Sequence, residues 1–271
     1  MRARQFGALL FALPFVTGCW TQQNYRAPDG PRHIGGPRLS PSGEKGKSDT
    51  LRVVSFNIAY GVGVDSAVAV LSSEPPLRGA DIILLQEMDA ISTQRVAQAF
   101  GMWYVYYPAT FHLRTRRPFG NAVLSRWPIV EDSKLVLPHV SRLGGTQRTA
   151  TAATIRFGES LVRVYSTHLS TFFDVSPGAR RTQLRAILSD ASRYPAVVIG
   201  GDMNSGSIGR VAREMGYAWP TENGPRTARG GRLDHIFFKG LRMPDRAAAG
   251  TVLDVRGSSD HRAIWATALV R

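Results

Sequence analysis

Beyond residue 50 the chain breaks into strand-length apolar runs separated by short polar pieces. Leu51 to Ile58, Asp81 to Gln86, Thr151 to Phe157, Leu161 to Thr167, Ala196 to Gly200, Leu233 to Phe238 and Ala263 to Leu269 read as strands. Several are continuously apolar, such as Val197-Val198-Ile199, as expected where a sheet is covered on both faces. Helical periodicity occupies Asp65 to Leu71, Ile91 to Phe100 and Pro177 to Ala191, the last with Ser176 placed as an N-cap before proline. Strands and helices without strict alternation predict an α+β fold rather than a doubly wound sheet.

The first fifty residues follow another pattern. Arg2 and Arg4 precede an apolar stretch, Phe6 to Val16, that is too short to span a bilayer as a helix. Val16-Thr17-Gly18-Cys19 resembles a bacterial lipobox, which implies a signal over residues 1–19 and a lipid on Cys19. The expectation is an exported protein anchored in the cell envelope, at the outer membrane or cell surface. Cys19 is the single cysteine, so neither a disulfide framework nor a cysteine nucleophile is available. Residues 20–49 hold four prolines and five glycines with no apolar period and read as a disordered tether. Residues 50–271 then form one domain of ordinary size.

Charge narrows the partners. The formal net charge is +14, with thirty arginines against four lysines. Clusters at Arg114/Arg116/Arg117, Arg180/Arg181/Arg185 and Arg226/Arg229/Arg232 would draw in an anionic substrate, and arginine matches phosphate oxygens with a planar donor fork.

The chemistry sits in seven polar pieces at the ends of apolar runs. They are Ser55-Phe56-Asn57, Leu85-Gln86-Glu87, Gly120-Asn121-Ala122, Thr167-His168-Leu169, Gly201-Asp202-Met203-Asn204, Leu233-Asp234-His235 and Ser259-Asp260-His261. Glu87 ends a five-residue apolar-rich run, which places its carboxylate where strands open onto a cleft, and Mg²⁺ needs only one or two such carboxylates. Gly200 and Gly201 permit a tight turn beside a ligand. Asp202 and Asn204, two apart in an extended strand end, can face the same side. A histidine serves as acid or base near neutral pH once a partner fixes its tautomer.

In order and spacing these pieces resemble the endonuclease/exonuclease/phosphatase superfamily, the metal-dependent phosphoesterases related to pancreatic deoxyribonuclease, from about Leu51 to Leu269. The resemblance implies two packed mixed sheets flanked by helices, a four-layer α/β/β/α sandwich with its active site at one end. It implies metal binding by Asn57, Glu87 and Asp260, with Mg²⁺ as the cofactor and Mn²⁺ or Ca²⁺ as substitutes. It implies catalytic work by His168, Asp202, Asn204, Asp234 and His261, Asp234 fixing the tautomer of His261. Either Asp202 or His261 serves as the base. Asn121 and Arg148 are expected to contact the substrate phosphate or support those that do. His235, where many relatives carry tyrosine, reads as a core group or a support behind the site, and Met203, where an aromatic or leucine is usual, reads as packing variation.

The expected substrate is an anionic phosphoester, of lipid, of nucleic acid or of a small scavenged molecule. A lipid anchor favours phospholipid or lipid head groups, whereas the arginine clusters favour DNA or RNA. The pair Phe172-Phe173 could touch lipid or pack in the core. A binding protein that lost catalysis is disfavoured because Glu87, Asp202, Asp260 and His261 are all present. A serine hydrolase is disfavoured because no Gly-x-Ser-x-Gly elbow occurs. A monomer is expected.

Overall fold

The computed structural model describes residues 23–37, 49–113, 115–244 and 248–270. Cys19, the signal and the remainder of the expected tether lie outside them. In chain order the strands are β1 (His33–Gly35), β2 (Thr50–Asn57), β3 (Ile82–Met88), β4 (Trp103–His112), β5 (Arg117–Ser125), β6 (Ile129–Val140), β7 (Gln147–Phe157), β8 (Ser160–His168), β9 (Val197–Asp202), β10 (Asp234–Lys239), β11 (Ala249–Thr251) and β12 (Ile264–Leu269). The helices are α1 (Val64–Ser73), α2 (Ala90–Phe100), α3 (Pro177–Ala191) and α4 (Gly209–Glu214).

Two mixed sheets result: β1-β4-β5-β3-β2-β12-β11, with seven strands, and β10-β9-β8-β7-β6, with five. Side-chain alternation assigns the layers. On the first sheet Val54, Phe56, Ile83 and Leu85 face α1 and α2, while Val53, Ile82 and Leu84 face the second sheet. There they meet Val162, Val164, Val198 and Ile236. On the far face of the second sheet Tyr165, Val197 and Ile199 pack against Leu184, Ile187 and Leu188 of α3. The order is therefore α/β/β/α, the four-layer sandwich implied above. Ser176 caps α3, accepting from the Ala179 amide. No helix of the described residues is long and apolar enough to cross a membrane.

Five strands escape the periodicity: β1 and β11, of three residues each, and β4 to β6. β4 carries Pro108 at a register shift, β5 is broken by Gly120, and β6 is a sheet edge whose side chains are mostly half-exposed.

The tether reading needs correction over residues 23–37. Gln23 accepts from the Phe111 amide at 2.8 Å, and the Tyr25 amide donates to Ala109 at 2.9 Å. β1 pairs with β4, and Arg32 donates twice to Asp132 at 2.7 and 2.5 Å. Lys134 donates to the carbonyls of Tyr25 and Gly30. Composition predicted disorder because the segment has no apolar core of its own. Its order comes from backbone pairing with an existing sheet edge and from polar anchors, which composition does not register.

Topology gathers the polar pieces at one end. β2 runs parallel to β3 and β8 parallel to β9, so Asn57, His168 and Asp202 finish together. Antiparallel neighbours begin there: Asp234 lies opposite Asp202 and Thr167 opposite Ala150. Gly201 makes the crowding possible, because a Cβ on it would lie 1.8 Å from the Thr167 carbonyl and its φ is +147°. Gly201→Ala should cost roughly 3 kcal/mol or more through clash and backbone strain. Denaturant titration followed by circular dichroism measures it; a midpoint within error of wild type would contradict the packing.

Candidate active site

A cavity of about 310 Å³ opens at this end, lined by Tyr60, Glu87, His112, Phe119, Arg148, His168, Thr171, Asp174, Asp202, Asn204 and His261, among others. Glu87 occupies it in a left-handed conformation, φ 61°, at a register shift between β3 and β5. Tyr60 (φ 61°) and Asn204 (φ 50°) share that conformation. Non-glycine residues adopt it at a cost and concentrate at sites where neighbours enforce it.

The Asn57 amide lies between two carboxylates, donating to Glu87 Oε1 at 3.1 Å and toward Asp202 Oδ2 at 3.3 Å. The Tyr60 backbone amide donates to the other Glu87 oxygen at 3.1 Å. Burial pushes the Glu87 pKa up against these donors. Asp202 is pushed up to about 7, first by burial and then by the charge of Asp234. Buried, electron-rich oxygens with a raised proton affinity suit a hard divalent cation.

Two histidines gather on the same Asp202 oxygen. His261 Nδ1 lies 2.9 Å from Asp234 Oδ2, and His261 Nε2 lies 3.6 Å from Asp202 Oδ2. Burial alone would lower the His261 pKa, but the Asp234 hydrogen bond and nearby carboxylates override it and hold it at about 10. Asp202, Asp234 and His261 place ligand atoms within 4.8 Å of one another, a second grouping able to hold an ion. His168 Nε2 is 3.3 Å from Asp202 Oδ2, and its Nδ1 is 3.7 Å from Glu87 Oε1. Burial, with the charges of Arg148 and His261, keeps His168 neutral far below its ordinary range.

Arg148 is buried beside Phe119, 5.6 Å from the ring centroid, and its Nε and Nη1 have no protein hydrogen-bond partner. The carboxylates of Asp174, Glu87 and Asp202 offset its burial. A solvated surface arginine is thereby excluded. Asn121 does not line the cavity; its amide donates to the Thr149 carbonyl at 2.8 Å, next to Arg148.

Two expectations change. Asp260 is exposed and outside the cavity lining, so the structure does not join it to Glu87 and Asn57. The Ser259 hydroxyl takes the inward position instead, donating to the Asn57 carbonyl at 2.7 Å and accepting from the His261 amide. Asn204 is not in extended chain, because β9 ends at Asp202. Its backbone amide donates to Asp202 Oδ1 at 2.8 Å, and its side chain donates to the Leu169 carbonyl at 2.9 Å. His235 is fully buried between Trp219 Nε1 (3.2 Å) and the Ser205 carbonyl (3.0 Å), and burial lowers its pKa to about 4.

Sequence reasoning missed the aromatic wall and Asp174. The Tyr60 and His112 rings meet tilted, with centroids 4.6 Å apart, and Phe119 lies 5.8 Å from His168. Tyr60 follows Asn57 in a glycine-punctuated turn, which is the one signal that could have flagged it.

The endonuclease/exonuclease/phosphatase family model matches residues 54–261. The chain belongs to this family. As a member of the endonuclease/exonuclease/phosphatase family it is a metal-dependent phosphoric ester hydrolase. Similar solved structures include a humanised D. rerio TDP2 (19% identity, 82% of this chain and 99% of that one, TM-score 0.61). The human nocturnin catalytic domain with bound sulfate is 18% identical over 87% of this chain and 96% of that one, TM-score 0.61. Sphingomyelinase C from Streptomyces griseocarneus is 16% identical over 81% of this chain and 99% of that one, TM-score 0.58. At such identities they share the fold. No curated protein matches this chain.

Proposed function

We propose that this family member is an exported, Cys19-anchored phosphoesterase that uses Mg²⁺, or Mn²⁺ or Ca²⁺ in its place, to hydrolyse phosphodiester or phosphomonoester bonds of phospholipid head groups. One observation carries the phosphoester reading: Arg148 lines the same cavity as Glu87 and Asp202, buried and with two guanidinium nitrogens that have no protein hydrogen-bond partner. Unmet buried donors are costly, and a phosphate supplies the planar acceptors that they lack.

Glu87, with Asn57 beside it, would hold the cation; when bound it polarises a phosphoryl oxygen and acidifies water. Asp202, poised near neutrality, accepts the proton of the attacking water. His261, kept protonated by Asp234, donates through Nε2 to the developing phosphoryl charge. His168 stays neutral between Glu87 and Asp202 and fixes their spacing. Asn204 and Asn121 hold the backbone around Asp202 and Arg148. The magnitudes fit this division. Phosphoester hydrolysis requires a barrier reduction of some ~20 kcal/mol, of which one acid or base supplies only about 10²–10⁴-fold. Fixed charges and alignment must supply the rest.

The lipid preference rests on the lipobox-like Cys19 and on exposed aromatics at the cavity mouth. A substrate panel with the full chain decides it: phospholipid vesicles, plasmid DNA, RNA and an aryl phosphodiester, each with Mg²⁺ and with chelator. The expected result is Mg²⁺-dependent release from vesicles and from the aryl ester. Plasmid nicking without release from vesicles would replace lipid by nucleic acid, and chelator-resistant turnover would remove the metal.

A further inference from the structure

We propose that the mouth of this cavity is itself a lipid-docking face, in which Phe172, Phe173, Leu143 and Leu113 enter the bilayer surface while neighbouring arginines meet anionic head groups. The proposal rests on the phospholipid reading above and adds how the enzyme sits on its substrate.

Phe172 and Phe173 are 68% and 76% exposed, and Leu143 is 76% exposed. The two phenylalanines pack edge to face at 5.5 Å, flanked in sequence by Thr171 and Asp174, which line the cavity. The Leu143 turn is fastened to that loop, the Arg142 amide donating to the Asp174 carbonyl at 3.0 Å and the Ser141 hydroxyl bonding to its carboxylate. Leu113, 40% exposed, follows the cavity residue His112. Isolated exposed apolar residues are ordinary, but apolar residues that adjoin cavity-lining ones on separate segments mark a contact surface. Two phenylalanines standing proud of a polar catalytic mouth contribute nothing to the fold's core. They match the interfacial preference of aromatic rings at a bilayer. Exposed Arg142, Arg116 and Arg181 lie close by in sequence and give the rim the sign that attracts anionic lipid.

The N-terminal arm points the same way. The Gln23 carbonyl accepts from Phe111 and from the Thr110 hydroxyl, and Asn24 bonds Gly145 at 2.7 Å and Gln147 at 2.8 Å. Thr110 and Thr146 line the cavity, so the described chain begins at its mouth. Cys19 stands four positions before Gln23, and that length of chain reaches at most about 14 Å. A lipid on Cys19 would therefore bring this rim to the membrane, and a long tether would not.

The test reads docking without catalysis. The full chain carrying Cys19→Ser and Phe173→Cys, so that bimane labels a single thiol, is compared with Cys19→Ser and Ser192→Cys beyond the far end of α3, on phosphatidylglycerol–phosphatidylcholine vesicles containing doxyl lipid. The expected result is quenching at 173 several-fold greater than at 192. Equal quenching at both positions overturns the proposal, whether or not the vesicles are hydrolysed. In parallel, Phe172→Ser/Phe173→Ser should lower the ratio of vesicle to aryl phosphodiester hydrolysis by about tenfold. An unaltered ratio likewise contradicts docking, whereas absence of Mg²⁺-dependent turnover by the unsubstituted chain on every substrate would refute the catalytic reading and leave the quenching result to decide docking by itself.

Discussion

Glu87→Gln should lower Mg²⁺-dependent turnover by about 10³-fold, the several kcal/mol that a correctly held cation contributes. The substitution keeps shape and removes charge from a half-buried position hydrogen-bonded by Asn57 and Tyr60. Because burial raises the Glu87 pKa, a neutral amide sits there more comfortably without a cation. The variant should therefore melt no lower than wild type in chelator and lose most of the stabilisation that wild type gains from Mg²⁺. Steady-state kinetics and melting with and without Mg²⁺ measure both. Retained turnover, or an undiminished Mg²⁺ shift, would move the cation elsewhere, the Asp202, Asp234 and His261 grouping being the other place it could sit.

His261→Ala should lose on the order of 10²–10⁴ in turnover, the range of a positioned proton donor. It also leaves Asp234 buried without its hydrogen-bond partner, so Asp234→Asn should fall in the same range and the double variant little further. Stability carries a sign that can be checked. His261 is raised from 6.5 to about 10, so its ion pair contributes fully below pH 6.5 and that contribution is lost as pH rises toward 10. The variant should be less stable than wild type at pH 6, with the difference shrinking across that window. A difference that grows with pH would show that His261 is neutral in the folded protein.

Much of this was legible in the residues because the strand ends are marked. Glu87, His168, Asp202, Asp234 and His261 each adjoin an apolar run, and parallel pairing of β2 with β3 and of β8 with β9 turns that adjacency in sequence into adjacency in space. What the sequence hid has physical causes. Asp260 and His261 are neighbours, yet the chain there turns so that only the histidine enters the cavity. No alternation pattern encodes which of two adjacent polar residues faces inward. Asn204 departs from the extended register because its left-handed φ diverts the chain after β9. The arm over residues 23–37 is held by Lys134, Asp132 and the edge of β4, partners a hundred residues away that local composition cannot reveal. Phe172 and Phe173 show the reverse case: an apolar pair that could have been core is exposed at the mouth.

The central claim is that Glu87, Asp202, Arg148 and the His261–Asp234 pair act on one phosphoryl group. Crystals of the full chain grown with Mn²⁺ and inorganic phosphate test it most directly, since anomalous scattering locates the ion without assumption. The expected result is an ion on the Glu87 carboxylate and phosphate oxygens within hydrogen-bond reach of Arg148 and His261 Nε2. An ordered ion and phosphate bound away from this cavity, with Arg148 Nε and Nη1 still without partners, would contradict it.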